Sequence, residues 1–356
     1  MSNLSIPTIA LDEALSLRAR GALLVDVRAP AEFAETTIPG AVNVPLLDNE
    51  QRAIVGTLYK QQGRDIALRQ GITLVAPRIP QIVAAVEGQM THPQQPVVVF
   101  CWRGGERSRA VTNFLCLAGL AAQQLRGGHK LFRRHVQTYF EQGQWGRLLV
   151  LRGLTGVGKT RTLHRLAQRG VPILDLEGLA NHRGSAFGAL GLPPQPSQKQ
   201  FEALLWDALR QLPPTGYLVT EGESRQIGRL RLPARLFQAL QTETSLWLTA
   251  NLDYRVQVVL EDYPAASRDK VLFAAPILGL KRRLGSARVD AYLALLAADR
   301  WDDLVRELMV DYYDPLYLHA LPARRREIAI DQPDGLDRLR QVLAELLTQA
   351  PPEPEL

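Results

Sequence analysis

Short apolar runs alternate along this chain with longer stretches whose apolar positions repeat at helical spacing. Residues 23–27 (LLVDV) and 97–100 (VVVF) are runs of the first kind, and 79–86 (IPQIVAAV), between them, is of the second. This rhythm predicts an α/β domain with a largely parallel sheet. A polar, helix-compatible stretch over 51–70 reads as an inserted surface helix pair. At 141–146 the pattern breaks in a Gly/Gln-rich segment, EQGQWG, and then resumes. Strands are expected at 147–151, 171–176, 217–220 and 245–249, and helices at 198–212, 255–261, 276–284 and 288–308. The reading is two α/β domains, 10–140 and 147–345, followed by a flexible tail over 346–356.

Composition agrees with that division and narrows the setting. A chain of 356 residues can bury two separate cores, and 46% apolar with 22% charged residues is the make-up of a soluble globular protein. No apolar run reaches the ~18 residues of a membrane span. The N-terminal residues lack the basic, apolar and small-residue regions of a secretory signal, so no membrane partner and a cytoplasmic location are expected. Two cysteines cannot form a disulfide framework, which turns attention to which thiol is reactive. The net charge of +6 leans towards a polyanionic partner.

Cys101 directly follows the run 97–100 and opens Trp102-Arg103-Gly104-Gly105-Glu106-Arg107-Ser108, ahead of a helical pattern over 109–117. A thiol at a strand end, in a glycine turn that starts a helix, meets backbone N–H groups and the positive end of the helix dipole. Both stabilise a thiolate, and Arg103 and Arg107 are expected to add positive charge. The same cradle would hold an oxyanion such as a phosphate or selenophosphate. Cys116, among Phe114, Leu115 and Leu117, reads instead as a packed, inert thiol. Cys101 and Arg107 also satisfy the Cys-x5-Arg spacing of cysteine phosphatases, although Phe100 stands where those enzymes usually carry histidine. Sulfur or selenium transfer and phosphatase chemistry both stay open on these residues.

The second motif is Gly153-Leu154-Thr155-Gly156-Val157-Gly158-Lys159-Thr160, a complete G-x-x-x-x-G-K-[ST] loop between an expected strand and an expected helix. Its glycines let backbone N–H groups, from Gly153 through Thr155, Gly156 and Gly158, surround a diphosphate. Lys159 neutralises the terminal phosphate, and the Thr160 hydroxyl suits Mg²⁺. ATP is what the motif by itself suggests. No metal ligand is singled out: Asp175, Glu221 and Glu223, with Arg225, are candidates for a second phosphate or metal site, or solvated strand-end groups. His182, in Asn181-His182-Arg183-Gly184-Ser185, reads as a positioning or surface histidine.

The segments Leu24-Val25-Asp26-Val27-Arg28, Glu32-Phe33 and Ile38-Pro39-Gly40-Ala41-Val42-Asn43-Val44-Pro45 resemble the N-terminal signature of rhodanese domains, over about residues 10–140. Taken with Phe100–Gly105, the phosphate loop, Glu221-Gly222-Glu223-Ser224-Arg225-Gln226-Ile227-Gly228 and Tyr313-Asp314-Pro315-Leu316-Tyr317, nearly the whole chain resembles the bacterial tRNA 2-selenouridine synthases. The resemblance implies a rhodanese-like parallel-sheet domain followed by a P-loop NTPase-like α/β domain. It implies an enzyme that replaces the sulfur of wobble 2-thiouridine in tRNA by selenium from selenophosphate, and that transfers a geranyl group from geranyl diphosphate to that sulfur. Cys101 would handle selenium and the phosphate loop the prenyl diphosphate. An ATP-dependent sulfurtransferase with a persulfide on Cys101 is the main alternative, and a nucleotide-sensing binding module the non-enzymatic one. Basic clusters that could follow tRNA phosphates are Arg133-Arg134-His135, Lys281-Arg282-Arg283 and Arg324-Arg325-Arg326, and Tyr312, Tyr313 and Tyr317 could stack on a base or pack in a core.

Overall fold

A computed structural model of the chain describes residues 6–143, 145–212, 216–263, 269–319, 321–322 and 324–349. It contains two compact units, one built on residues up to Glu141 and the other on most of the chain from Gln142.

In the first unit, strands β1 (Thr8–Ile9), β2 (Leu23–Asp26), β3 (Val42–Asn43), β4 (Val97–Phe100) and β5 (Ala122–Leu125) form one sheet in the order β1-β5-β4-β2-β3. Every pairing is parallel. Helices cover both faces of the central strands, which is why every residue of β2 and β4 is buried and all but Asp26 at the end of β2 are apolar. The polar stretch near 51–70 is indeed a helix pair, Asn49–Gln62 and Arg64–Val75, turning at Gly63 with φ +90°. Its start is set by Asp48, whose carboxylate accepts the Gln51 N–H at 2.8 Å while Gln51 Oε1 accepts the Asp48 N–H at 3.2 Å.

At the end of β2 lies a fully buried ion pair. Arg28 Nη2 donates to Asp26 Oδ2 at 2.6 Å and to the Thr36 carbonyl at 2.5 Å, and Thr37 Oγ1 donates to Asp26 Oδ2 at 2.9 Å. Asp26 is 0% and Arg28 2% exposed, so each charge depends on the other.

The second unit is also parallel. Strands β6 (Arg147–Gly153), β7 (Ile173–Leu174), β8 (Tyr217–Glu221), β11 (Ser245–Thr249) and β12 (Arg325–Ala329) are ordered β12-β11-β6-β8-β7, with β9 (Gln226–Ile227) and β10 (Leu230–Arg231) forming a small antiparallel hairpin. Several expected boundaries move. The strand expected over 171–176 shrinks to two residues because Asp175 caps a helix, its carboxylate accepting the Gly178 N–H at 2.6 Å. The helix expected over 276–284 starts earlier, at Lys270, and splits into Lys270–Gly279 and Lys281–Leu284. The one expected over 288–308 is two, Ser286–Ala297 and Trp301–Leu308, because Asp299 turns left-handed at φ +58°. The expected tail also begins too early: helix Gly335–Thr348 runs into it and buries Leu346 against the sheet, while residues 350–356 lie outside the described residues. Among the described residues no helix is long and apolar enough to cross a membrane.

Arg28→Met alone strands the Asp26 carboxylate in the core and should cost about 3–5 kcal/mol. Asp26→Leu combined with Arg28→Met should recover a substantial part of that loss. Urea unfolding of the three proteins checks this; a double variant no more stable than the single one would show that the pair contributes something other than mutual neutralisation.

Candidate functional sites

In the first unit, β4 ends at Phe100 and Cys101 follows, buried to 3% exposure. Its Sγ accepts the Gly105 N–H at 3.3 Å and lies 3.2 Å from Ser108 Oγ. Gly105 precedes helix Glu106–Leu117, so the sulfur sits at that helix's N-terminal end, as the strand–glycine–helix pattern requires. Two further glycines close the loop. A Cβ on Gly104, at φ +64°, would lie 2.6 Å from the Leu125 carbonyl oxygen, and one on Gly128, at φ +57°, 2.2 Å from the Cys101 carbonyl oxygen. The His129 and Lys130 N–H groups donate to the Cys101 and Trp102 carbonyls at 2.9 and 2.8 Å.

The arginines behave differently from expectation. Arg107 is not a free charge on the loop: it binds both oxygens of Glu32, at 2.6 and 3.2 Å. Burial opposes ionisation of Glu32, yet the Arg107 hydrogen bond and charge outweigh it and hold the carboxyl below its usual range. Arg103 is exposed. Glu106 is turned outward to Arg64 at 2.6 Å and adds nothing to the cradle. Trp102 packs on His129, with ring centres 5.6 Å apart. Two residues that matter escaped the sequence reading. Ser108 is fully buried against the sulfur, and Gln124 Nε2 donates to Ser108 Oγ at 2.8 Å and to the Gly104 carbonyl at 2.9 Å. Ser108 stands in the first turn of the helix, a position from which a hydroxyl can face back to the sulfur; Gln124, on another strand, carries no such local signal. Cys116 is a packed thiol that donates to the Ala122 carbonyl at 3.4 Å.

In the second unit the phosphate loop runs from the end of β6 into helix Lys159–Ala167. Gly153, Gly156 and Gly158 have φ of +149°, +75° and +83°, values that side chains resist. Lys159 Nζ lies 5.7 Å from the Tyr317 ring centre. Burial works against its charge, but Tyr317, Glu223, Glu177 and Glu221 together raise its pKa. Thr160 Oγ1 donates to Glu177 Oε2 at 2.8 Å.

Of the proposed acidic site, part assembles. Glu221 ends β8 fully buried; one oxygen accepts the Leu176 N–H at 3.0 Å and Oε1 has no partner among the described residues. Burial, with Glu177, Asp175 and Glu223 nearby, raises its pKa well above the carboxylate range. Glu223 is pushed up to about 7 by burial and by Glu177, against the pull of Lys159 and Arg152. The Glu177 and Glu223 carboxylates converge below Gly184, where a Cβ would lie 3.1 and 2.6 Å from their oxygens. Asp175 caps its helix and pairs with His164 Nε2 at 2.7 Å, acting on Glu221 and Glu177 through its charge alone, and Arg225 is exposed. Glu177 and Arg152 take their places, both unmarked in sequence. His182 is buried, not on the surface: its Nδ1 accepts the Gly184 N–H at 3.1 Å, and burial lowers its pKa.

A cavity of about 350 Å³ opens on this loop. Thr155, Lys159, Thr160, Glu177 and Arg183 form a polar wall; Phe187, Val259, Phe273, Leu304, Leu308 and Met309 belong to an apolar one. Tyr313 and Tyr317 line it too. Among the basic clusters Arg133 is largely withdrawn, at 18% exposure, and Arg134 exposed. Lys281, Arg282 and Arg283 are exposed, as are Arg324, Arg325 and Arg326 at the edge strand β12.

Comparison with known proteins adds two family matches. A model described as the tRNA 2-selenouridine synthase AAA domain matches residues 146–346, and one described as a rhodanese-like domain matches residues 10–135. Proteins named tRNA 2-selenouridine synthase from Nitrosomonas europaea and Hydrogenovibrio crunogenus are each 33% identical over 90% of this chain, covering 94% and 95% of their own length. The protein of that name from Bdellovibrio bacteriovorus is 34% identical over 90% of this chain and 94% of its own.

The raised Glu223 pKa has a consequence for stability. Between the ordinary value of 4.5 and about 7 the folded protein keeps a proton that the unfolded chain has released. Stability therefore falls as pH rises through that window and is level above it. Glu223→Gln removes this contribution, so its melting temperature relative to the parent should climb from about pH 4.5 to about pH 7 and then plateau. A difference that stays constant across the window would contradict the assignment.

Proposed function

The chain belongs to the tRNA 2-selenouridine synthase family, enzymes that modify tRNA, and from that membership we propose a two-stage exchange of sulfur for selenium at wobble 2-thiouridine. In the first stage the phosphate loop holds geranyl diphosphate. The uridine C2 sulfur attacks the allylic carbon, a carbon–sulfur bond forms, and the carbon–oxygen bond breaks with its electron pair leaving on diphosphate. The loop N–H groups and Lys159 lie where that negative charge grows, which is where fixed donors accelerate such a step. In the second stage a selenium nucleophile from selenophosphate adds at C2, and the alkylated sulfur departs as geranyl thiol. Cys101 handles that selenium as part of the loop that holds selenophosphate against its amides: water attacks phosphorus, the phosphorus–selenium bond breaks, phosphate leaves, and the selenium adds at C2 without a change of oxidation state.

The observation that carries this reading is the apolar wall beside Lys159 and Thr160. A diphosphate cradle continuous with a dry slot is what an allylic diphosphate needs. A divalent ion would supply further charge neutralisation. The hard oxygens of Thr160 and Glu177 fit Mg²⁺, but no group of three His, Cys, Asp or Glu among the described residues can hold a metal alone. The diphosphate would complete such a site.

The wobble nucleoside from cells carrying Cys101→Ala or Lys159→Ala tests the proposal by mass spectrometry. Cys101→Ala should abolish 2-selenouridine and leave part of the S-geranyl product, whereas Lys159→Ala should lower both by about 100-fold or more. Equal 2-selenouridine in parent and both variants would refute it. ATP hydrolysis with tRNA, without any binding of geranyl diphosphate, would return the phosphate loop to the ATP-dependent alternative.

A further inference from the structure

The apolar wall of the cavity has a direction and an end. Helix Trp301–Leu308, continued by Met309, contributes Trp301, Leu304, Val305, Leu308 and Met309 to the lining. Those intervals of three, four, seven and eight residues are one face of a helix. Met309 marks the phosphate end, since a Cβ on Gly156 would lie 2.6 Å from its Cε. Trp301 is eight residues back, or about 12 Å along the axis at 1.5 Å per residue.

At that far end the rings gather. Phe273 meets Trp301 edge to face, with ring centres 5.0 Å apart and planes at 80°. Its ring is further enclosed by Phe187 at 5.9 Å and Tyr263 at 5.6 Å. Phe273 shares a buried cluster with Ile277, Tyr292 and Leu296, so displacing the ring would disturb that packing.

We propose that the Phe273–Trp301 pair is the stop of a length gauge, which limits the allylic chain to two isoprene units measured from the phosphate loop. The proposal rests on the allylic diphosphate reading and adds to it the residues that select among such diphosphates. On that reading two units occupy the wall between Met309 and Trp301; a third would have to displace the rings, and a single unit would leave the aromatic end unfilled. A fixed apolar wall discriminates against a chain one unit too long by about tenfold or more.

The test uses the full-length protein with dimethylallyl, geranyl and farnesyl diphosphates, measuring affinity by calorimetry and transfer to 2-thiouridine tRNA by mass spectrometry. The parent should favour geranyl diphosphate over both others by about tenfold or more. Trp301→Ala should raise the farnesyl-to-geranyl ratio by about tenfold, and Val305→Phe, which blocks the wall midway, should shift preference towards dimethylallyl diphosphate. The opposed variants keep the test decisive if one fails to fold. If the parent binds geranyl diphosphate but takes farnesyl equally well, or if the folded variants leave the ratios unchanged, the gauge is wrong and the allylic reading stands. If the parent binds none of the three, both fall.

Discussion

The register of β6 with its two neighbours governs the second unit. Parallel pairing sets Leu151 beside Glu221 and Gly153 beside Leu248, so three strand ends reach one edge of the sheet together. From that edge the phosphate loop departs with no room for a side chain at Gly153, where a Cβ would press on the Leu248 carbonyl oxygen at 2.5 Å. The same register carries Glu221 under the loop from a strand 70 residues downstream of Leu151. A slip of one residue would turn Glu221 to the opposite face and put Thr220 or Gly222 at its position. In the first unit the pairing of Asp26 with Phe100 does comparable work, holding the buried ion pair next to the strand that delivers Cys101.

The two sites treat charge in opposite ways. Around Cys101, Arg107 is matched by Glu32, and the sulfur accepts the Gly105 N–H and lies against the Ser108 hydroxyl. An anion at this loop would meet an oriented amide and a helix terminus. Around Lys159 the balance is reversed, with Glu177, Glu221 and Glu223 gathered near one ammonium. Three carboxylates cannot all stay ionised in so dry a space, and the raised pKa values of Glu221 and Glu223 express that conflict. A proton or a cation shared among them relieves it.

The elements built from local signals were legible in the sequence. Runs such as Val97–Phe100 and Ser245–Thr249 are strands at their expected limits, and both glycine loops stand where their motifs put them. The helix break at Asp299 was hidden because no glycine or proline marks it. Glu177 escaped because its role depends on Thr160 folding back to it, and Gln124 because it reaches Ser108 from a neighbouring strand. The cavity was hidden more thoroughly. Phe187, Phe273 and Trp301 come from three separate segments, and each alone reads as ordinary core. Arg107 shows the converse error, since motif spacing gave it a role that a carboxylate 75 residues away takes up.

The interlock of Gly104 with Gly128 bears on how the cysteine loop meets a ligand. Backbone packs directly on backbone there, and the Cys101 and Trp102 carbonyls are both tied to the segment that starts helix Gly128–Gln142. Amides held this way need not reorient when an anion arrives, so most of the ordering entropy is settled during folding rather than on binding. Any side chain at either glycine would pry the segments apart, so the loop's shape cannot be altered from within without loosening the backbone that holds Cys101.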